Sequence, residues 1–329
     1  MMRVRKPGLL TTVQDLGRPG YQQYGIVVGG ALDGFAARTV NLCVGNGDNA
    51  ALLEMAQTGP EIIFDRDTLI AWSGADFDAQ VAGQPLPRDR AVRIAAGEVV
   101  SFGFARSGLR AWLAIAGGID VPLVMGSRAT YRRAGIGGHQ GRPLAAGDAL
   151  KLFEPAPWAA RIMAALAAGQ KRAVAWTVRP ETMGKPAAAG VVRALRGPES
   201  DWFAKEAQRA FFAAEWTATK EADRMGVRLS GPELPLLKPR EMISSSVNAG
   251  VVQVPSAGQP IVLLPSRQSV GGYPRLAAVL TVDLGRFTQM RPGDKVRFEE
   301  TTLAAAHDVY LARERDLARV RMGLARLAG

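Results

Sequence analysis

Three short stretches that share one pattern decide the fold of this chain: GEVVSF at residues 97–102, GDALKL at residues 147–152 and GDKVRF at residues 293–298. Each begins with a glycine and a carboxylate typical of a turn, and every second residue after them is apolar. This alternation predicts a β-strand that buries one face. Because such a closing strand occurs near residue 150 and again near residue 298, the sequence predicts two related β-rich halves.

Helical patterns are fewer than strand patterns. Asp33 is predicted to cap a helix that ends at Gly45 and Asn46. Further helices are predicted over residues 157–168, 198–215 and 302–327. The predicted regions are therefore a first β-barrel-like subdomain over 1–155, a connecting helix over 156–172, a second barrel over 173–301 and a C-terminal helix over 302–329.

The composition is that of a globular protein: the 329 residues are 47% hydrophobic and 22% charged, which excludes a mainly disordered or coiled-coil chain. The net charge is +11. Basic residues are spread among acidic ones and no run of four or more cations occurs, so the charge favours a solvated face or small anionic substrates over nucleic acid.

The sequence also indicates in which cellular compartment the protein is expected. A single cysteine, Cys43, cannot form an internal disulfide, and it lies on the apolar face of a predicted helix. No stretch has the pattern of a membrane span or a secretory leader. We therefore expect a cytoplasmic protein with no membrane contact.

Common catalytic motifs are missing. The sequence contains neither a GxxxxGK[ST] phosphate loop nor a strand–GxGxxG–helix unit. Two histidines, His139 and His307, are too few for a metal site, so none is expected. The glycine-rich stretch Gly135–Gly141 has two interpretations, which are an anion-binding nest of backbone amides and a flexible loop between strands.

Two regions hold more glycine and polar residues than a plain core needs. The first is Thr11–Tyr21 followed by Gly29–Asp33, and the second is Gln253–Pro255 followed by Pro265–Pro274. Paired glycines let backbone approach a ligand, while Gln, Arg and Tyr side chains bind amides and carboxylates. Each region is a candidate site, and turn formation is the alternative.

Ordered motifs along nearly the whole chain resemble one family, which comprises biotin-dependent carboxyltransferases, allophanate hydrolase subunit 2 and the C-type subunits of 5-oxoprolinase. This family is also similar to one half of the carboxyltransferase region of urea carboxylase. The matching stretches are Lys6–Arg18, Val44–Asn46, Leu53–Glu54, Ala116–Ile119, Gly126–Tyr131, Asp223–Leu229 and Gly271–Pro274.

The resemblance implies two cyclophilin-like β-barrel subdomains, ending near residues 155 and 300. It also implies partners, namely a smaller subunit (B type) and a third subunit (A type), with which such chains open 5-oxoproline to glutamate using ATP. Chains of this kind are often described as ATP-binding hydrolases. Two alternatives stay open: a carboxyltransferase subunit acting on urea or a related amide, and a non-catalytic regulatory protein that sequesters a partner.

For the opening of a cyclic amide, a site needs donors for the developing oxyanion, a cation for phosphate and a carboxylate that orients water. The candidate catalytic residues are Asp15, Asp33 and Arg18. The candidate substrate-binding residues are Gln14, Arg224, Gln253, Arg267, Gln268, Gly271, Gly272 and Tyr273. The alternative roles are a cap or turn for the two aspartates and a salt bridge for Arg224.

The chain departs from its relatives at two points. Ser266 stands where many relatives have an aspartate, so this chain has no carboxylate to act at that position. The chain also lacks the Met-Lys-Met sequence to which biotin is attached. If it transfers a carboxyl group, biotin must be supplied by another protein.

Overall fold

The computed structural model describes residues 1–183 and 187–328, which are mainly β with a long C-terminal helix, as predicted. The chain forms two compact units. As far as they are described, unit 1 contains residues 1–18, 29–183 and 315–328, and unit 2 contains residues 19–28 and 187–314.

Unit 1 is built on one ten-stranded sheet. Its strands are β1 (Met2–Lys6), β2 (Leu10–Gln14), β3 (Leu52–Ala56), β4 (Glu61–Phe64), β5 (Thr68–Val81), β6 (Gln84–Pro85), β7 (Val92–Ile94), β8 (Val99–Ile115), β9 (Ile119–Asp120) and β10 (Ala149–Leu152). The main path runs β2-β3-β8-β4-β1-β10-β9, and β5 pairs with β6, β7 and β8. The closing strand β10 thus pairs with the first strand, antiparallel to it.

The core of unit 1 lies under this sheet. Trp72 and Phe102 pack edge to face with ring centroids 5.5 Å apart, among buried Val, Leu and Ile side chains. Helices α1 (Gly34–Cys43) and α2 (Pro157–Ala168) belong to the same unit. Cys43 is fully buried, and burial raises the pKa of its thiol to about 12, so it stays protonated and apolar.

Unit 2 contains a closed barrel. Its strands are β11 (Val191–Arg196), β12 (Glu215–Ala222), β13 (Gly226–Ser230), β14 (Ser245–Ser246), β15 (Val251–Gln253), β16 (Ile261–Leu263), β17 (Val270–Gly271), β18 (Arg275–Val279) and β19 (Lys295–Glu300). The barrel order is β11-β18-β15-β16-β13-β12-β19, and a parallel β11–β19 pair closes it. Strands β14 and β17 form a separate two-stranded sheet.

Aromatic side chains fill the barrel of unit 2. Phe211, on helix α3 (Lys205–Ala213), stacks on Phe298 with ring centroids 4.3 Å apart, and Trp216 packs beside it. The Trp216 indole donates a 3.0 Å hydrogen bond to the Phe211 carbonyl, so its polar atom is satisfied in the core. Helix α4 (Leu284–Gln289) contributes Phe287 to the same cluster.

The three turn-and-strand stretches adopt one local structure. In each turn the carboxylate after the glycine accepts a hydrogen bond of 2.7–2.8 Å from the backbone N–H three residues earlier. These donor and acceptor pairs are Ala95 with Glu98, Ala145 with Asp148, and Arg291 with Asp294. The glycine between them has a φ of 80°, 88° or 93°, a conformation that favours glycine.

Helix α5 (Leu303–Ala328) ends the described chain. In unit 1 its Leu317 and Leu324 bury their side chains against Leu42 and Met183, and Arg321 lies 2.6 Å from the Asp48 carboxylate. Of the helices in the described residues, none is both long enough and apolar enough to cross a lipid bilayer.

Some segments differ from the prediction, and one of them is residues 19–28, which group with unit 2 and not with the first half. Residues 173–183 belong to unit 1 rather than to the second half, because the Val174 and Val178 amides donate to Ala91 and Asp89. The helix predicted over 198–215 is interrupted: a short 3-10 turn at Ser200–Trp202 is followed by extended backbone at Phe203, and α3 begins only at Lys205. Phe203 is fully buried and bridges to Leu236 as a strand would.

The Asp148 turn gives a pH-dependent prediction. Hydrogen bonds from Arg142 lower the pKa of Asp148 from 3.8 to about 2. Its stabilisation is therefore present above about pH 4 and lost as the pH falls towards 2. We expect Asp148→Asn to lower the free energy of unfolding by about 1–3 kcal/mol at pH 7 and by less at pH 3, measured by urea denaturation.

Glu154→Gln is the matched control. Glu154 pairs with Arg66, but its side chain is 82% exposed, so the change is expected to stay within about 1 kcal/mol. A D148N protein as stable as the wild type at pH 7 would contradict the role assigned to this turn.

Candidate functional site

Asp15 is the centre of a buried hydrogen-bond network in unit 1. Its Oδ1 accepts from the Gly17 amide at 2.8 Å and from the Ser127 hydroxyl at 2.7 Å, and its Oδ2 accepts from the Arg128 amide at 2.6 Å. The side chain is 2% exposed. Both carboxylate oxygens are thus engaged. The Gly17 contact is local, as in the turn-forming alternative for this residue, and the other two join the end of β2 to a segment more than 110 residues away.

Gln14 and Arg18 bind the same distant segment as Asp15. Gln14 Nε2 donates to the Thr130 carbonyl at 3.3 Å, and Arg18 Nη2 donates to the Ala129 carbonyl. Arg18 Nε also reaches the Val124 carbonyl at 3.4 Å. Three of the predicted site residues are therefore brought together around residues 124–130.

This cluster contains two buried polar atoms without a partner in the described part of the chain, Gln14 Oε1 and Arg18 Nη1. Arg18 is fully buried, and burial lowers the pKa of its guanidinium while the charge of Asp15 opposes that effect. No carboxylate lies within ion-pair distance of Arg18 among the described residues. One of these atoms is an acceptor and the other a donor, and buried polar atoms left without a partner are costly and often indicate a ligand or water.

Asp33 has a hydrogen bond of its own, separate from the Asp15 network. Its Oδ1 accepts a 3.0 Å hydrogen bond from the Ala36 amide, which makes it the N-cap of α1, as predicted. The residue before Asp33 has a different partner: the Leu32 amide donates to Glu54 Oε2 at 2.8 Å. The structure places Asp33 at the start of a helix, and the segment before it contacts Asp15 through a 2.7 Å hydrogen bond from the Ala31 amide to the Asp15 carbonyl.

Sequence reasoning missed two buried polar parts of unit 1. One is Ser127–Thr130, which supplies most of the distant partners of Gln14, Asp15 and Arg18; it lies within the matching stretch Gly126–Tyr131 but carries no catalytic signature. The other is Glu54, 4% exposed, which also accepts from the Trp112 indole at 2.9 Å. The sequence signal that could have indicated Glu54 is a single carboxylate among the apolar residues of strand β3, which is wholly buried.

In unit 2, Gln253, Gly271 and Tyr273 lie together. Gln253 is 1% exposed and its Nε2 donates to the Tyr273 carbonyl at 3.1 Å. A Cβ at Gly271 would lie 2.7 Å from that same Nε2, so a larger residue there would require the Gln253 amide to shift. Gly272 lies beside Met242 and Ser244, while the Tyr273 side chain is 48% exposed and Gln268 is half-buried.

Arg267 is the buried cation of unit 2. It is 7% exposed and donates to the Val247 carbonyl at 3.1 Å and, at 3.4 Å, to the Pro265 carbonyl. Burial lowers the pKa of its guanidinium, and among the described residues no carboxylate lies within ion-pair distance. Arg224 lies close by, with Nε 3.3 Å from the hydroxyl of Ser266.

The two units therefore present similar chemistry. Each holds an arginine in a buried position on backbone carbonyls, and each places a glutamine side chain against a glycine-rich or turn segment. Such an arrangement favours a bound carboxylate or phosphate, because a desolvated guanidinium interacts strongly with oxyanions.

A family model described as the carboxyltransferase domain, subdomain A and B, matches residues 24–300. The chain is 37% identical over 306 residues to the C subunit of 5-oxoprolinase from Escherichia coli K12, and the alignment covers 93% of both proteins. It is 32% identical to the urea amidolyase of Saccharomyces cerevisiae, with 90% of this chain and 16% of the relative aligned.

Among solved structures, the urea carboxylase of Kluyveromyces lactis superimposes with a TM-score of 0.85 at 26% identity. The match covers 97% of this chain and 29% of that protein. The chain thus spans most of the 5-oxoprolinase subunit but only a part of the urea-acting enzymes.

The contrast between the two aspartates can be tested with one substitution at each. Asp33→Asn is expected to change the free energy of unfolding by less than about 0.5 kcal/mol, since asparagine caps helices as well as aspartate does. Asp15→Asn is expected to lower it by about 3 kcal/mol, because the amide NH₂ would face other donors in a buried network. Urea denaturation of both variants makes the comparison, and equal stabilities would show that Asp15 is not an anchor.

Proposed function

The chain belongs to the carboxyltransferase domain family, subdomain A and B, and from this premise we propose that it is the subunit of a 5-oxoprolinase that opens 5-oxoproline to glutamate with consumption of ATP. The observation that carries the proposal is the 37% identity to the C subunit of a 5-oxoprolinase over 93% of both chains. In this proposal it works with a smaller subunit of the B type and a third subunit of the A type.

The chemistry explains why ATP is needed. The lactam is a poor electrophile, so transfer of the γ-phosphoryl group to the lactam oxygen, with release of ADP, activates its carbon. Water then adds to that carbon, the ring C–N bond breaks and the nitrogen takes up a proton. A second water releases phosphate from the γ-carboxyl phosphate, which leaves glutamate.

The residues of this chain suit the binding part of that reaction. The substrate carries a carboxylate and the activated intermediate carries a phosphoryl group, and both are ligands for guanidinium and amide donors. In unit 2 we assign carboxylate or phosphoryl binding to Arg267 and Arg224, and hydrogen bonding of the substrate to Gln268 and Tyr273. Gln253, Gly271 and Gly272 position that segment.

In unit 1 we assign anion binding to Arg18, whose Nη1 has no partner within the described residues, and support of that arginine to Gln14 and Asp15. Asp15 is a positioning residue in this proposal, since protein donors occupy both of its oxygens. We assign the orientation of water to the Asp33 carboxylate, whose Oδ1 accepts the hydrogen bond of the helix cap.

A second candidate function is carboxyl transfer to urea or a related amide. It is favoured by the TM-score of 0.85 to a urea carboxylase. Since the chain has no Met-Lys-Met sequence, carboxybiotin would have to be presented by another protein. The aligned part is only 29% of that enzyme, which is why we place this function second.

The test is release of glutamate from 5-oxoproline and ATP, with this chain alone, the two partner subunits alone, and all three together. Glutamate is expected only when all three are present, in equal amount to ADP. No glutamate from the complete set, together with transfer of labelled carboxylate from carboxybiotin to urea, would replace the proposal by the second candidate.

Tyr273→Phe separates a binding role from a structural one. The side chain is 48% exposed, so the variant should fold normally, yet loss of a donor to the reacting amide is expected to lower kcat about tenfold or more. Tyr24→Phe, 71% exposed and in the same unit, is the matched control and should keep full activity. Equal activities of the two variants would remove Tyr273 from the site.

A further inference from the structure

The glycine-rich loop of unit 1, Gly135–Gly141, forms one wall of a cavity of about 630 Å³. The remaining lining residues come from the segment 120–124 and from strand β10. The cavity is large enough for a small metabolite. All of its lining residues belong to unit 1, whereas substrate binding is assigned above mainly to residues of unit 2.

Part of the loop backbone is left open for a ligand. The amides of Gly135, Ile136, Gly138 and Gly141 donate to carbonyls of the same region. The amides of Gly137, His139 and Gln140 donate no hydrogen bond to any described residue. Left-handed φ angles recur at 135, 137, 138, 140 and 141, and successive turns of this kind gather amide N–H groups into anion-binding concavities.

A buried cation lies directly behind this wall. A Cβ at Gly137 would be 2.8 Å from Arg18 Nη2 and would clash with the Ala129 carbonyl oxygen, so the loop backbone contacts the guanidinium. Arg18 Nε also donates to the Val124 carbonyl, and Val124 lines the cavity. The guanidinium keeps one unpartnered nitrogen among the described residues. The nearby Asp15 carboxylate also acts on this charge, but both of its oxygens are already held by Gly17, Ser127 and Arg128.

Other charged groups around the cavity carry both signs. Lys151 is an exposed cation on β10 and faces Asp120 across the β9–β10 pair. The Asp148 carboxylate next to the loop is already engaged by Arg142 and lies 3.3 Å from His139 Nε2. Asp120 is thus the only cavity-lining carboxylate in the described residues.

We propose that the Gly135–Gly141 loop binds an oxyanion, the carboxylate or phosphate group of a small molecule, through the open amides of Gly137, His139 and Gln140 with Arg18 behind them. The site stands on its own geometry, and its existence does not depend on the 5-oxoprolinase function. A plain connecting loop needs neither the close approach to a buried arginine nor three unpaired amides on one cavity wall.

The two histidines of the chain allow a direct test. Backbone ¹⁵N labelling of histidine alone gives two amide signals, His139 in the loop and His307 in α5, and a His307→Gln variant assigns them. Sodium phosphate and 5-oxoproline are titrated separately at constant ionic strength, with sodium chloride as the reference. The His139 signal is expected to shift to saturation with at least one of them while His307 stays fixed.

Saturation by phosphate alone would identify a phosphate group as the ligand, and saturation by 5-oxoproline would identify a carboxylate. A His139 signal that does not move, or that drifts linearly together with His307, would overturn the proposal. The titration does not measure glutamate release. A failure of this binding proposal can therefore be distinguished from a failure of the proposed 5-oxoprolinase function.

A charge variant locates the anion. Lys151→Gln is expected to weaken binding about two- to fivefold, the effect of losing one partly screened charge. The control is Lys295→Gln, an exposed lysine on the closing strand of unit 2, which should bind as the wild type does. Equal affinity of K151Q and wild type would place the anion outside this cavity and overturn the proposal.

Discussion

The buried carboxylate of Asp15 is the interaction on which the rest of the candidate site in unit 1 depends. Three donors hold it, two of them from Ser127 and Arg128, and this fixes the segment whose carbonyls bind Gln14 and Arg18. A buried charge held by several donors is rigid, and replacing it leaves unpaired donors in a dry interior. Asp15 is therefore the anchor that allows a cation to be buried beside it.

The proposed preference for oxyanions rests on two buried arginines that have no carboxylate partner in the described residues. Arg18 in unit 1 and Arg267 in unit 2 are desolvated and, in that part of the chain, bind only carbonyl oxygens and a side-chain amide oxygen. Burial lowers the pKa of both, which means that their charged forms would be stabilised by an incoming anion. The net charge of +11 acts in the same direction over longer distances.

The structures that could be predicted from the sequence are local, and those that could not are distant. The turns at Asp148 and Asp294 and the cap at Asp33 were visible, because each carboxylate binds an amide three residues away. Two of the three partners of Asp15 were not visible, since Ser127 and Arg128 lie 112 and 113 residues along the chain. The helix predicted over 198–215 failed at Phe203 because tertiary pairing outweighed its helical pattern. The roles of the individual site residues remain predictions.

The central claim is that this chain binds oxyanions with fixed donors and uses Asp15 to hold them in place. A crystal structure of the chain with its proposed partner subunits and 5-oxoproline tests it most directly. The account predicts ligand oxygens on amide, tyrosine or guanidinium donors of this chain, with Asp15 still bound to Ser127 and Arg128. An Asp15 carboxylate that contacts the ligand after releasing those two residues would contradict it.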